Sequence, residues 1–243
     1  MGILCIASQK GGVGKSTAAV NLSVLWGIKK KVLLVDLDPQ ANAGSGLGIR
    51  EPEYTITNVL KNECSLDDAI IKTSYNVNVL PAGIELASVD ANVIAKLKVI
   101  IKPLQEQYEL IVIDCPPSLG ILTLNALTIA DRVLIPLKPG LYGVDGLKEM
   151  IKTVTNLRRD GYNPNLQVLG IFYNEINVRT NLFKTVNKAM KEMYPNLLLK
   201  TVIRPTVKLA EAPLFGEPIS VYDKRASQDY INLAKETMKI WVN

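Results

Sequence analysis

The 243-residue chain contains no histidine. That absence excludes a Ser-His-Asp triad, a Cys-His nucleophile pair and any histidine-ligated metal built within the chain. Chemistry must therefore come from carboxylates, lysines, backbone amides and a bound metal. Cysteine is scarce too: Cys5, Cys64 and Cys115 are far apart and odd in number, with no Cys-x-x-Cys. A disulfide framework, a zinc site and a dithiol redox centre are set aside on that count. The longest apolar runs are of strand length, as in Leu110-Ile111-Val112-Ile113, well short of the ~18 residues of a membrane span. The opening residues Met1-Gly2-Ile3-Leu4-Cys5 lack a basic segment and run straight into a glycine-rich loop, leaving no room for a signal peptide. A cytoplasmic protein is expected. No internal repeat and no Gly/Ser/Pro-rich linker divides residues 1–243, which read as a single domain.

What is present is enough apolar material, 48% of residues, for one substantial core. The net charge of +5 is unevenly placed: residues 1–140 hold 13 basic and 13 acidic side chains, residues 141–243 hold 15 and 10. The excess either aids solubility or marks a face for a polyanion. Short β-rich runs at 3–7, 32–35, 77–80, 110–113, 132–136, 168–172 and 198–203 alternate with helical patterns. The helices are expected at 16–27, 86–101, 119–129, 144–158, 181–193 and 227–241. Strands apolar along their whole length and separated by helices predict a doubly wound, mostly parallel α/β sheet with helices on both faces. In such sheets ligands bind beyond the carboxyl ends of the strands.

The informative residues lie there. After the first strand comes Ser8-Gln9-Lys10-Gly11-Gly12-Val13-Gly14-Lys15-Ser16-Thr17, then a helix. Three glycines let the backbone turn its N–H groups toward phosphate oxygens, and the helix N-terminus adds its dipole. Lys15 is placed to reach the β- and γ-phosphates, and Ser16 to offer a hydroxyl to Mg²⁺. The common phosphate-loop pattern has Gly where this chain has Gln9; in its place the loop brings a second lysine, Lys10. Asp36 and Asp38 follow the second strand, and Asp114 ends the strand 110–113. Asp114 fits a Mg²⁺ holder, because hard Mg²⁺ takes oxygen ligands and keeps several waters. Asp38 is placed to orient or deprotonate the attacking water. Asp36 supports either the metal shell or the Lys15 ammonium.

This K-G-G-x-G-K-[ST] loop resembles that of the deviant Walker A ATPases, a P-loop superfamily that includes ParA/Soj and MinD. The resemblance to ParA/Soj partition ATPases runs over nearly the whole chain. It rests on residues 9–17, Leu33-Leu34-Val35-Asp36-Leu37-Asp38-Pro39-Gln40-Ala41-Asn42-Ala43, Ile113-Asp114-Cys115-Pro116-Pro117-Ser118, Arg179-Thr180-Asn181-Leu182 and Leu209-Ala210-Glu211-Ala212-Pro213. It implies ATP and Mg²⁺ as cofactors and hydrolysis to ADP and phosphate. It further implies an ATP-bound sandwich homodimer, non-specific binding to double-stranded DNA, a ParB-type stimulating partner, nucleoid association and no membrane. It also implies that Lys10 reaches across the dimer to the partner's phosphates, so Lys10, Lys15 and Asp38 form the catalytic set. The different-class alternative is a MinD-like switch on a membrane surface. That reading needs a basic amphipathic terminal helix, whereas residues 230–241 hold two lysines and suit core packing.

For DNA, residues 179–208 contain Arg179, Lys184, Lys188, Lys191, Lys200, Arg204 and Lys208 against Glu192 alone. Lys184, Lys188 and Lys191 fall on one helical stripe, either a solvated face or a phosphate-contacting one. Lys224 and Arg225 extend that surface. At the adenine end, Asn174 follows the strand and either reads a base edge or caps its loop. Soj-type proteins usually carry Ile-Pro-Arg-Asn-Val where this chain has Ile203-Arg204-Pro205-Thr206-Val207. Arg204 and Thr206 are carried over as base contacts across that exchange.

Overall fold

The computed structural model describes residues 2–242, the side chains of residues 141 and 142 excepted. Eight strands form one sheet: β1 Ile3–Ile6, β2 Val32–Asp36, β3 Ile71–Lys72, β4 Val77–Leu80, β5 Leu110–Asp114, β6 Arg132–Leu137, β7 Gln167–Tyr173 and β8 Leu198–Val202. Their order is β3-β4-β2-β5-β1-β6-β7-β8, parallel throughout except where β3 runs against β4. The helices are α1 Lys15–Gly27, α2 Asn42–Ser45, α3 Ile56–Lys61, α4 Leu66–Ala69, α5 Ala91–Ile94 and α6 Leu97–Ile101. They continue with α7 Ile121–Ile129, α8 Leu141–Arg159, α9 Asn181–Met193, α10 Lys208–Glu211, α11 Ile219–Tyr222 and α12 Gln228–Val242.

The period-2 alternation of each strand divides the core between two faces. Ile3, Cys5, Leu33, Val35, Ile111 and Ile113 join the cluster that receives Ala126, Leu147, Met150 and Met190 from α7, α8 and α9. Leu4, Ile6, Val32, Leu34 and Val112 face the other way, under Ala18 and Leu22 of α1 and Tyr230 and Leu233 of α12. Because both faces are covered, central strands contain no polar alternation, which is why they read as unbroken apolar runs.

Register builds the site. Ile6 stands opposite Asp114, and Asp36 stands opposite the same Asp114 from the other side. The ends of β1, β2 and β5 are therefore level, and the loops that leave them share one crevice at the sheet's carboxyl edge.

The expected α-helix over 86–101 is corrected. The chain there is a 3₁₀ turn, Ile84–Ser88, then α5, α6 and a second 3₁₀ turn, Lys102–Glu106. Val89 is extended, and the Asp90 carbonyl restarts the helix by accepting from Val93 and Ile94 N–H. Leu86, Ile94, Leu97, Ile101 and Leu104 are all buried, so the apolar stripe is continuous although the backbone is not. Short elements were not anticipated, among them α3 and α4. Their capping boxes, Thr55 with Asn58 and Ser65 with Asp68, were visible signals. The terminal helix α12 does pack on the core: Thr237 and Tyr230 are fully buried, and Trp26 Nε1 donates to the Ala234 carbonyl at 3.1 Å. Among the described residues no helix is long and apolar enough to cross a membrane. At the sheet's far edge, Glu236 of α12 accepts the backbone N–H groups of Lys200 and Thr201 in β8, at 2.7 and 2.9 Å.

Candidate nucleotide site

The loop between β1 and α1 turns through left-handed backbone at Gly12 (φ 68°) and Gly14 (φ 88°), conformations that favour glycine. Gly14 is the N-cap of α1. No side chain caps that end, and its first turn carries no acidic residue. The free N–H groups and the positive end of the helix dipole are thus left for an anion. Lys15, the first residue of α1, is 6% exposed and its Nζ donates to the Lys10 carbonyl at 3.2 Å. Burial lowers its proton affinity, while Asp114 and Asp38 nearby oppose that shift. A buried ammonium within the field of two carboxylates, at the mouth of a helix N-terminus, is a point charge arranged for phosphate.

Asp114 is completely buried, and neither carboxylate oxygen has a hydrogen-bond partner among the described residues. Its proton affinity is raised, first by burial and then by Asp36, while the Ser16 hydroxyl and Lys15 pull it down. Orphaned carboxylate oxygens beside a serine hydroxyl suit a hard divalent cation that takes its remaining ligands from phosphate and water. Among the described residues there is no group of three acidic or cysteine side chains able to hold a metal without that help. Ser16 and Asp114 therefore fit Mg²⁺ as a companion of nucleotide.

Asp36 is placed otherwise than expected. Its Oδ1 accepts from Asp38 N–H at 3.0 Å, and its Oδ2 from the N–H groups of Ala43 and Gly44 at 3.0 and 3.1 Å. Burial pushes its pKa up to about 6, against those amide bonds. The expectation of a metal or Lys15 contact is replaced by an anchor: both oxygens are turned to the backbone of the following loop and α2. Asp38 stands on the cleft wall instead, its Oδ1 accepting from Gln40 N–H at 3.0 Å.

These residues open on a cleft of about 780 Å³ that starts at Gly11–Thr17 and extends past Asn21 to Pro205, Thr206 and Pro213. Thr206 is on that wall. Arg204 is not: its guanidinium makes a two-pronged bond to Asp229, both contacts at 2.8 Å. The exchange of Pro and Arg turns the arginine outward and leaves Pro205 on the cleft. Asn174 is also absent from the wall. It is 1% exposed, and its Nδ2 donates to the Val13 carbonyl at 2.9 Å, beneath the phosphate loop. Of the two roles open to it, the side chain takes loop support. Glu175, which sequence reasoning passed over, does line the cleft; it has positive φ (52°) and an ion pair to Lys138 at 3.0 Å. Asn21 was missed as well, with its Nδ2 on the Thr17 carbonyl and its Oδ1 accepting from Ile219 N–H. A polar residue inside an apolar helix was the signal.

On α9, Phe183 and Met190 face inward, and Lys184, Lys188 and Lys191 are exposed with no ion pair among the described residues. Arg179, Lys224 and Arg225 are exposed too. Arg204 and Lys208 depart from that set, since Lys208 pairs with Glu211 at 2.9 Å.

Comparison with known proteins agrees with this geometry. Residues 1–168 match the family described as an AAA domain. The chain is 40% identical over 246 residues to the sporulation initiation inhibitor protein Soj of Bacillus subtilis (strain 168), covering 96% of this chain and 97% of that protein. It is 38% identical over 249 residues to the chromosome partitioning protein ParA of Myxococcus xanthus (strain DK1622), covering 98% and 88%. Among solved structures, the Cyanothece McdA(D38A)-ATP complex superposes with a TM-score of 0.87 at 26% identity, over 98% of this chain and 96% of that one.

Proposed function

Because the chain belongs to the ParA/Soj family of partition ATPases, we propose that residues 1–243 act as one ATPase domain that turns over ATP to segregate DNA. The observation that carries this reading is the Lys15 ammonium, buried at an uncapped helix N-terminus in the field of Asp114 and Asp38. ATP occupies the cleft, with its phosphates on the N–H groups of residues 10–17 and its base toward Thr206. Mg²⁺, held by Ser16 and Asp114, supplies further charge neutralisation to those phosphates.

The chain's own residues divide the remaining work. Lys15 leaves the Lys10 carbonyl to pair with phosphate. Asp38, on the wall and outside the metal pair, orients the attacking water or accepts its proton. Lys10 acts across an ATP-bound homodimer on the partner's phosphates, which ties turnover to dimerisation. The exposed lysines of α9, with Arg179, Lys224 and Arg225, meet DNA phosphates without reading sequence, and the dimer doubles that patch. A ParB-type partner stimulates hydrolysis and releases the dimer, so the protein is nucleoid-associated while ATP-bound.

The test is phosphate release by the purified chain alone, with duplex DNA, and with DNA plus a ParB-type protein. Slow basal turnover, raised when both are present, is expected. Turnover indifferent to both additions would overturn the partition reading while leaving nucleotide binding intact.

A further inference from the structure

Helix α1 begins at the phosphate loop and ends near the amino edge of the sheet, where it borders a second groove, of about 640 Å³, shared with α12. Leu25, Trp26, Ile231 and Met238 contribute apolar surface to it. Ile28 and Val242 stand at its lip, 68% and 71% exposed. Lysines line it from both helices' sides: Lys29 and Lys30 just after α1, Lys235 and Lys239 on α12. Lys30 pairs with Glu109, but Lys29, Lys235 and Lys239 have no ion pair among the described residues. The acids of α12 are turned elsewhere, Glu236 to the amides of β8 and Asp229 to Arg204. Apolar surface and unpaired positive charge are thus left together on a face remote from the phosphate loop.

We propose that this groove docks an acidic amphipathic helix of a partner protein. A helix laid along two others buries its apolar stripe in their groove, and carboxylates flanking that stripe meet the lysines. A second copy of the chain does not suit the site, because a two-fold contact sets lysines against lysines. A nucleic acid would satisfy the lysines and leave the apolar surface wet. A membrane would take up Ile28 and Val242 at the lip but leave the recess between the helices unfilled. The occupant would rest on the helix whose first residue is Lys15, which gives a partner a route to the nucleotide site.

The probe is a stapled, fluorescein-labelled helical peptide with leucines on one face and glutamates flanking them, paired with a twin carrying lysines for the glutamates. Fluorescence anisotropy is expected to show the acidic peptide binding and its twin not. Lys235→Glu combined with Lys239→Glu should weaken the acidic peptide about tenfold or more and favour the twin. Both lysines are exposed and without ion pairs, so thermal melting of the variant should match the parent. Ile28→Glu, at the exposed lip, should weaken the acidic peptide independently of the lysines. Equal binding of the two peptides, or binding of neither, overturns the proposal. So does co-sedimentation with phosphatidylglycerol vesicles that the double variant abolishes, which makes the groove a membrane face. A nucleotide-free dimer lost in the same variant overturns it in favour of self-association.

Discussion

The backbone N–H of Asp38 donates to Asp36 Oδ1 at 3.0 Å, so one carboxylate holds the segment on which the other is presented. Asp36 is fully buried with three backbone partners, and Asp38 lies on the cleft wall. Two aspartates in one short string therefore have separable duties. Asp36→Ala strands three N–H groups and is expected to cost roughly 2–4 kcal/mol of stability, read as a lower denaturant midpoint. Asp38→Ala should leave that midpoint near the parent's and lower ATP turnover by ~10²-fold or more with ATP binding kept. A stable Asp36→Ala protein, or normal turnover in Asp38→Ala, would reverse the assignment.

The two lysines of the loop should part in the same manner. Lys15→Ala removes the buried charge at the helix N-terminus, and ATP affinity should collapse in the monomer. Lys10→Ala should retain much of that affinity but lose ATP-dependent dimerisation and turnover, followed by sedimentation and phosphate release. Equal loss of monomer affinity in both variants would confine Lys10 to its own site.

Gly14 and Asn174 form a steric pair. A Cβ at Gly14 would collide with Asn174 Nδ2, and its φ of 88° already disfavours other residues. Gly14→Ala should cost on the order of 1–3 kcal/mol and weaken ATP binding. Adding Asn174→Ala removes the collision but also the bond to the Val13 carbonyl, so the double variant should lose less stability than the two single changes summed. A double-mutant cycle with no coupling would show that the two do not press on each other.

The fold was largely legible because central strands buried on both faces and one long amphipathic helix, 181–193, leave unmistakable patterns. The phosphate loop was legible because its glycines and lysines are adjacent in sequence. Asp36 was misread because its three partners depend on how the chain returns at Ala43 and Gly44, which spacing does not reveal. Asn174 stayed open between a base edge and its loop for a related reason: its partner, Val13, is 161 residues away. The segment 86–101 kept a helical apolar period while its backbone broke at Val89, since burial constrains side chains and tolerates several backbone routes.

DNA binding is tested by salt. If the α9 lysines meet phosphates, removing each lysine–phosphate pair should lower the slope of log affinity against log salt by about 0.9. Lys184→Glu with Lys188→Glu should weaken ATP-dependent binding to two unrelated duplexes alike and leave ATP affinity unchanged. Unchanged DNA affinity would move the interface to Lys224 and Arg225, and strong preference for one duplex would contradict backbone recognition.

The carboxylate of Glu236 on the amides of β8 has a consequence for how copies of this protein meet. A strand at the border of a sheet is a template on which a foreign strand can grow, and long polymers follow from that. Here Lys200 and Thr201 offer no N–H to an incoming chain, and the opposite border is the two-residue β3. At high local concentration such molecules can touch repeatedly without stitching their sheets together along these borders, and each encounter stays reversible.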